Sequence, residues 1–101
     1  MPDIRIQYGY RLPPYVAATI TNEGAMLLDT RRRGTWFTVN SAGAQLLVEL
    51  LDGANLDRAV QVVADHFSAP QADVWIDMVK LTEDLCRRGL LMRPALRSDK
   101  W

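Results

Sequence analysis

The side chains that could carry covalent or metal chemistry are few in this chain of 101 residues. It has one histidine, His66, and one cysteine, Cys86. A zinc site of Cys and His ligands cannot be assembled from that pair within one chain. An internal disulfide framework is excluded as well. A Ser-His-Asp relay would have to run through His66, and no Gly-x-Ser-x-Gly elbow presents a serine to it. No Gly-rich phosphate loop occurs. The carboxylates are scattered in the manner of solvated helix faces. The chain therefore reads as a non-enzyme, with no catalytic residue, metal or cofactor expected. His66 reads as a surface residue near a helix C-terminus, where it meets the helix dipole. Cys86 reads as a small buried hydrophobe.

The residues whose spacing suggests a task are apolar. Over 71–88 the pattern is helical. At about 100° per residue, Val74, Met78, Leu81 and Leu85 form one stripe. Trp75, Val79, Thr82 and Cys86 form a second beside it, and together they cover about 160°. Two readings stay open: a deeply buried helix, or a helix with one stripe in the core and the other lining a groove. Asp77 and Asp84 flank the first stripe, either solvated or placed to orient a ligand's polar groups.

The elements that would position this helix can be read from the chain around it. Residues 15–20, 25–29 and 35–39 are short and rich in β-formers. Asn22-Glu23-Gly24 and 30–34 (Thr-Arg-Arg-Arg-Gly) turn between them, which predicts an antiparallel meander. In the third strand Phe37 and Val39 share one face, and Trp36 and Thr38 the other. Asn40 or Ser41 caps a first helix carrying Leu46, Leu47, Leu50 and Leu51, closed by Asp52-Gly53. Asn55 caps a second helix with Ala59, Val60, Val63 and Phe67, broken at 68–70 (Ser-Ala-Pro). The third stops at Gly89. Residues 1–14 read as an extended arm, with Ile4, Ile6, Tyr8, Tyr10 and Leu12 at every second position, and 93–101 as a polar tail. One domain over 15–92 is expected.

Composition narrows the partners. Twelve Lys and Arg balance twelve Asp and Glu, so the basic excess of a nucleic-acid or anionic-membrane binder is missing. No apolar run approaches the length of a membrane span, and the N-terminus lacks a signal-peptide core, which predicts a cytoplasmic protein.

The ordered set Leu27-Leu28-Asp29, a basic turn closed by Gly34, Trp36-Phe37, Asn40 with Gly43, and a Leu-rich helix ending Asp52-Gly53 resembles the start of a PqqD-like domain, also called a RiPP recognition element. Asn55-Leu56-Asp57, Asp77, Leu81, Leu85 and Gly89-Leu90-Leu91 fit its second half. The resemblance spans about residues 12–92 and is greatest to stand-alone members of lasso-peptide pathways. It implies an α+β, winged-helix-like fold: a three-stranded antiparallel sheet followed by three helices. It also implies a non-catalytic adaptor that binds the leader of a ribosomally synthesised precursor peptide by strand addition and presents it for maturation.

In the lasso branch the resemblance implies a leader with a Tyr-x-x-Pro motif. The implied enzyme partners are a transglutaminase-like leader peptidase and, further, the cyclase. The leader would pair with Thr35, Trp36, Phe37, Thr38 and Val39 and lie on Val74, Asp77, Met78, Leu81, Asp84 and Leu85. Trp36 either covers the sheet or touches the partner enzyme. Arg31, Arg32 and Arg33 make the turn more basic than it needs to be, and read either as a solvated turn or as a docking site for that peptidase or the leader. Tyr10-Arg11-Leu12-Pro13 matches the same Tyr-x-x-Pro pattern, either by coincidence or as a segment that one copy lends to another's groove. The alternatives are a winged-helix DNA-binding protein and a general protein-interaction adaptor. Against the first, the third helix sets Lys80, Arg87 and Arg88 against Asp73, Asp77, Glu83 and Asp84, three positive charges against four negative, and its wide face is apolar.

Overall fold

The computed structural model describes residues 9–94. Strands β1 (Val16–Thr21), β2 (Gly24–Asp29) and β3 (Thr35–Asn40) form an antiparallel sheet in the order β1-β2-β3. The register pairs Val16 with Asp29 and Asp29 with Thr35. The first connection is only Asn22-Glu23, held by the Thr21 hydroxyl, which donates to the Gly24 carbonyl (3.2 Å) and accepts from the Glu23 N–H (3.1 Å).

Gly24 follows with φ of 157°, and a Cβ built there would lie 2.7 Å from the Val39 carbonyl oxygen. That oxygen belongs to the neighbouring strand and cannot yield without opening the sheet. Gly24→Ala is therefore expected to cost about 2 kcal/mol, close to 10 °C in Tm. Gly53→Ala, also at positive φ (108°) but with open space around it, should cost clearly less. Thermal melts of the two variants check this, and equal losses would show that φ alone decides.

The second connection is a single 3-10 turn, Thr30–Arg32, with Arg33 (φ 59°) and Gly34 (φ 75°) both left-handed. β3 then runs directly into helix α1 (Ser41–Leu51). Asn40 is both the last strand residue and the helix cap, its Oδ1 accepting from the Gly43 N–H at 2.9 Å. Helix α2 (Leu56–His66) is capped in the same way by Asn55, which accepts from the Arg58 N–H at 2.8 Å. Ser68, at φ 51°, turns the chain into α3 (Gln71–Arg87), and Gly89, at φ 77°, ends it.

The architecture is the expected α+β, winged-helix-like one. α1 packs on the sheet, α2 on α1, and α3 on α2 with lesser contact to α1. Leu46, Leu47 and Leu50 of α1 are wholly buried between Leu27 of β2 and Val60 and Val63 of α2. The helices cover one sheet face only. Ala17, Met26, Trp36 and Thr38 look outward and are exposed.

One expectation about the arm changes. Arg11 pairs with Met92 in an antiparallel bridge (N···O 3.2 and 2.8 Å), Tyr10 and Leu12 pack on the core, and Pro13 is buried. The alternation seen in the sequence is real for these residues, but residues 10–13 belong to the domain. Tyr10-Arg11-Leu12-Pro13 is engaged inside its own chain. Lending it to another copy's groove would have to break that bridge and expose Pro13. Ile4, Ile6 and Tyr8, and the tail from 95 onward, lie outside the described residues.

Candidate functional site

Because β3 is last in the sheet order, one of its sides has no strand beside it among the described residues. An edge strand presents alternate N–H and C=O groups outward, a template for a further strand. The α3 residues Leu81 and Arg88 approach Val39 and Phe37 of β3 respectively, so helix and strand run in opposite senses and bound a cleft.

The cleft is bridged at two levels. Near the end of β3, Leu81 reaches toward Val39 and Gly43: a Cβ on Gly43 would lie 2.9 Å from Leu81 Cδ2 and 3.1 Å from Val39 Cβ. A side chain at position 43 would have to push Leu81 aside. Near the start of β3 the Arg88 guanidinium lies 5.0 Å from the Phe37 ring centroid, a cation–π contact across the gap. A recess of about 210 Å³ opens there, lined by Asp29, Thr35, Trp36, Phe37, Arg87, Arg88 and Leu90. A second, shallower recess of about 630 Å³ runs along α3 over Asp77, Lys80, Leu81, Glu83, Asp84 and Arg87.

The strand residues singled out in the sequence all lie along this edge. Thr35, Trp36 and Thr38 are exposed, Trp36 by 57%, while Phe37 and Val39 turn inward and are half-buried. The helix residues divide differently from expectation. The buried line of α3 is Met78, Thr82 and Leu85, which takes one member from the second stripe. Thr82 can sit there because its hydroxyl donates to the Met78 carbonyl at 2.8 Å, leaving no polar atom unsatisfied. Met78 (7% exposed) and Leu85 (0%) are thus core residues. Leu81 is half-buried and lines the second recess, and Val74, half-buried and seven positions earlier, lies on the same side of the helix and packs on the core. Of the second stripe, Trp75 is exposed and Val79 and Cys86 half-buried. Asp77 is exposed. Asp84 is engaged, accepting from Arg87 (2.8 Å) and from Arg88 Nε (3.2 Å).

The arginine run divides as well. Arg31 is a structural residue. Its Nε and terminal nitrogen donate to the two oxygens of buried Asp29 (3.1 and 3.0 Å), which also accepts the Arg31 N–H (3.0 Å). The guanidinium stacks 3.7 Å from the Tyr15 ring centroid. The hydrogen bond to Asp29 raises the Arg31 pKa, so the group stays charged. The Tyr15 hydroxyl donates to the Gly89 carbonyl at 3.1 Å. Asp29, Arg31 and Tyr15 thereby tie the β2–β3 turn to the end of α3 and fix the mouth of the first recess. The backbone of Arg32 completes the 3-10 turn, and Arg33 is exposed. Sequence reading missed Asp29, Arg87, Arg88 and Leu90 as neighbours of the site. An Asp at a strand end two residues before an Arg was the available signal for the first.

His66 and Cys86 sit on different helices. His66 is exposed, edge-on to Phe67, and burial pushes the Cys86 thiol pKa up, away from the reactive thiolate. Among the described residues no group of three or more His, Cys, Asp or Glu side chains could hold a metal ion, and no helix is long and apolar enough to cross a membrane. What the cleft offers is a backbone edge, apolar walls and guanidinium groups, which is the equipment for holding an extended peptide.

The family model described as Coenzyme PQQ synthesis protein D (PqqD) matches residues 24–91, which takes in β2, β3, all three helices and the whole cleft. The chain belongs to the PqqD family. No curated protein matches it. Two solved structures are similar to this PqqD-family chain. One is lasso peptide synthetase B1 complexed with the leader peptide, at 26% identity and TM-score 0.71, covering 83% of this chain and 98% of that one. The other is TbiB1 in complex with the TbiA(beta) leader peptide, at 20% identity and TM-score 0.71, covering 85% and 99%. The second likeness is one of fold. The resemblance read from residues 12–92 is thus upheld at the level of family and fold.

Proposed function

We propose that this PqqD-family chain binds the leader segment of a ribosomally synthesised precursor peptide of the lasso class, as a cytoplasmic adaptor without catalytic activity. The observation that carries this reading is the open edge of β3 facing α3 across a cleft walled by Phe37, Val39 and Leu81. The family match and the structural likeness to a leader-peptide complex support it. The leader adds as a fourth strand beside Thr35–Asn40, its main chain pairing with β3 and alternate side chains entering the cleft. A Tyr-x-x-Pro segment suits such a site, since an aromatic anchor fills an apolar recess and the proline favours extended backbone before it. Val74, Leu81 and Asp77 contact the peptide directly; Met78 and Leu85 support them from the core. The leader peptidase docks on the outer sheet face at Trp36 and Arg33, with the cyclase as a further partner. The winged-helix DNA-binding alternative is set aside, because α3 turns acidic and apolar surface toward the cleft.

Calorimetric titration with a synthetic lasso-class leader peptide carrying Tyr-x-x-Pro is expected to give one-to-one binding at micromolar Kd or tighter. Purified chain should leave the precursor's mass unchanged over hours. No measurable binding would overturn the leader reading. Cleavage that copurifies with the chain through successive columns would overturn the adaptor reading.

A further inference from the structure

We propose that the recess at the Thr35 end of the cleft reads a carboxylate: it selects an Asp or Glu side chain of the bound peptide through Arg88 and Arg87. The inference rests on the peptide-binding reading above and adds a charge requirement to it.

The recess has apolar walls, Trp36, Phe37 and Leu90, and two guanidinium groups at its rim. Its own carboxylate, Asp29, is buried against Arg31 and its charge is already met. Asp84 stands outside the recess lining and is shared by both rim arginines, at 2.8 Å to Arg87 and 3.2 Å to Arg88. Among the described residues one ion-paired carboxylate, Asp84, serves both rim guanidinium groups, which leaves positive charge in excess at this mouth. Arg88 is held in place twice, by Asp84 through its Nε and by the Phe37 ring beneath it. A guanidinium so fixed keeps its planar fork ready for a carboxylate, at less ordering cost than a free side chain.

The side chains of Arg87 and Arg88 are 72% and 55% exposed. An apolar peptide residue lowered into the recess would strip water from them and offer them no acceptor in its place. A carboxylate replaces that water, and the apolar walls lower the local dielectric, which strengthens the pairing. A strand beside β3 sends every second side chain toward α3, so one residue near Thr35–Phe37 is placed to enter.

The test uses the full chain and short synthetic peptides with a fixed Tyr-x-x-Pro, in which Glu, Gln or Lys is scanned through the flanking positions. Affinity is read by fluorescence anisotropy. At one position Glu should bind about fivefold tighter than Gln, the increment of a half-exposed ion pair, with Lys weaker still. The Glu-to-Gln ratio should fall toward one in R87Q/R88Q and invert in R87E/R88E. In the unaltered chain the ratio should shrink as ionic strength rises, a readout independent of how the variants fold. Arg88→Lys, which keeps charge without the fork, should retain a reduced ratio. Peptides that bind without charge preference at any position, or a ratio unchanged in R87Q/R88Q, would overturn this inference alone. Failure of every peptide to bind would remove the leader reading and this inference with it.

Discussion

Leu81→Glu is expected to weaken leader binding about tenfold or more, a change of about 1.4 kcal/mol, while far-UV circular dichroism and Tm stay near the parent values. The side chain is half-buried, at the point where α3, β3 and Gly43 of α1 converge. A glutamate there can swing its carboxylate into the shallow recess along α3, so the free chain tolerates it. A peptide lying in the cleft would cover that carboxylate. Binding must then desolvate a charge against the apolar side chain of Val39. Asp77, Glu83 and Asp84 outnumber Lys80 and Arg87 in the lining of the same recess and add net like-charge repulsion. Met78→Glu and Leu85→Glu are poorer probes, because both residues are core and a charge there should unfold the chain before it reports on the peptide. Val74→Glu, at the same helix side and half-buried, should act in the same direction as Leu81→Glu. A folded Leu81→Glu chain with parental affinity would place the peptide elsewhere.

The difference between Leu81 and Leu85 also marks where sequence reasoning stops. The strands, the turn at Gly24, the caps at Asn40 and Asn55 and the stop at Gly89 were legible, because each depends on a residue type and its immediate neighbours. The edge of β3 followed from strand order alone. The partition of α3 was not legible, since two adjoining apolar stripes look alike until α2 chooses which to cover. It covers a line through Thr82, a residue whose polarity argues for the surface until its bond to the Met78 carbonyl is seen. Arg31 shows the same limit. Three consecutive arginines suggest a docking patch, yet the first is fixed by Asp29 and by Tyr15, a residue sixteen positions earlier. Tyr15 in turn bonds Gly89, at the far end of the domain. Contacts of that sequence separation leave no local trace. The Tyr-x-x-Pro match at residues 10–13 shows the reverse case: a motif of two fixed positions occurs in a segment whose Arg11 bridges Met92 and whose Tyr10 and Leu12 pack on the core.

Backbone N-methylation of the leader should abolish measurable binding at every second position of the paired segment and spare the positions between. This result would separate strand addition from any other way of filling the cleft. In an antiparallel or parallel pairing, each residue of the added strand points its N–H either toward β3 or away from it, in alternation. A methyl group on an inward N–H removes one hydrogen bond, leaves a β3 carbonyl without its partner, and clashes with the neighbouring strand. The lost bond and the stranded carbonyl alone come to about 2 kcal/mol, or about thirtyfold in Kd, before the clash is counted. On an outward N–H the same methyl meets solvent and should change affinity little. The parity that hurts must be fixed relative to the tyrosine and proline of the leader, because a strand cannot shift by one residue without turning its anchors out of the cleft. A helical peptide laid against Leu81 and Val74 would instead lose affinity at most positions, since methylation breaks helices wherever it falls. A peptide held only by side chains would show no period at all. Losses of period two, measured by competition against the unmodified leader, are the expected result; either other pattern would mean that the edge of β3 is not where the peptide pairs.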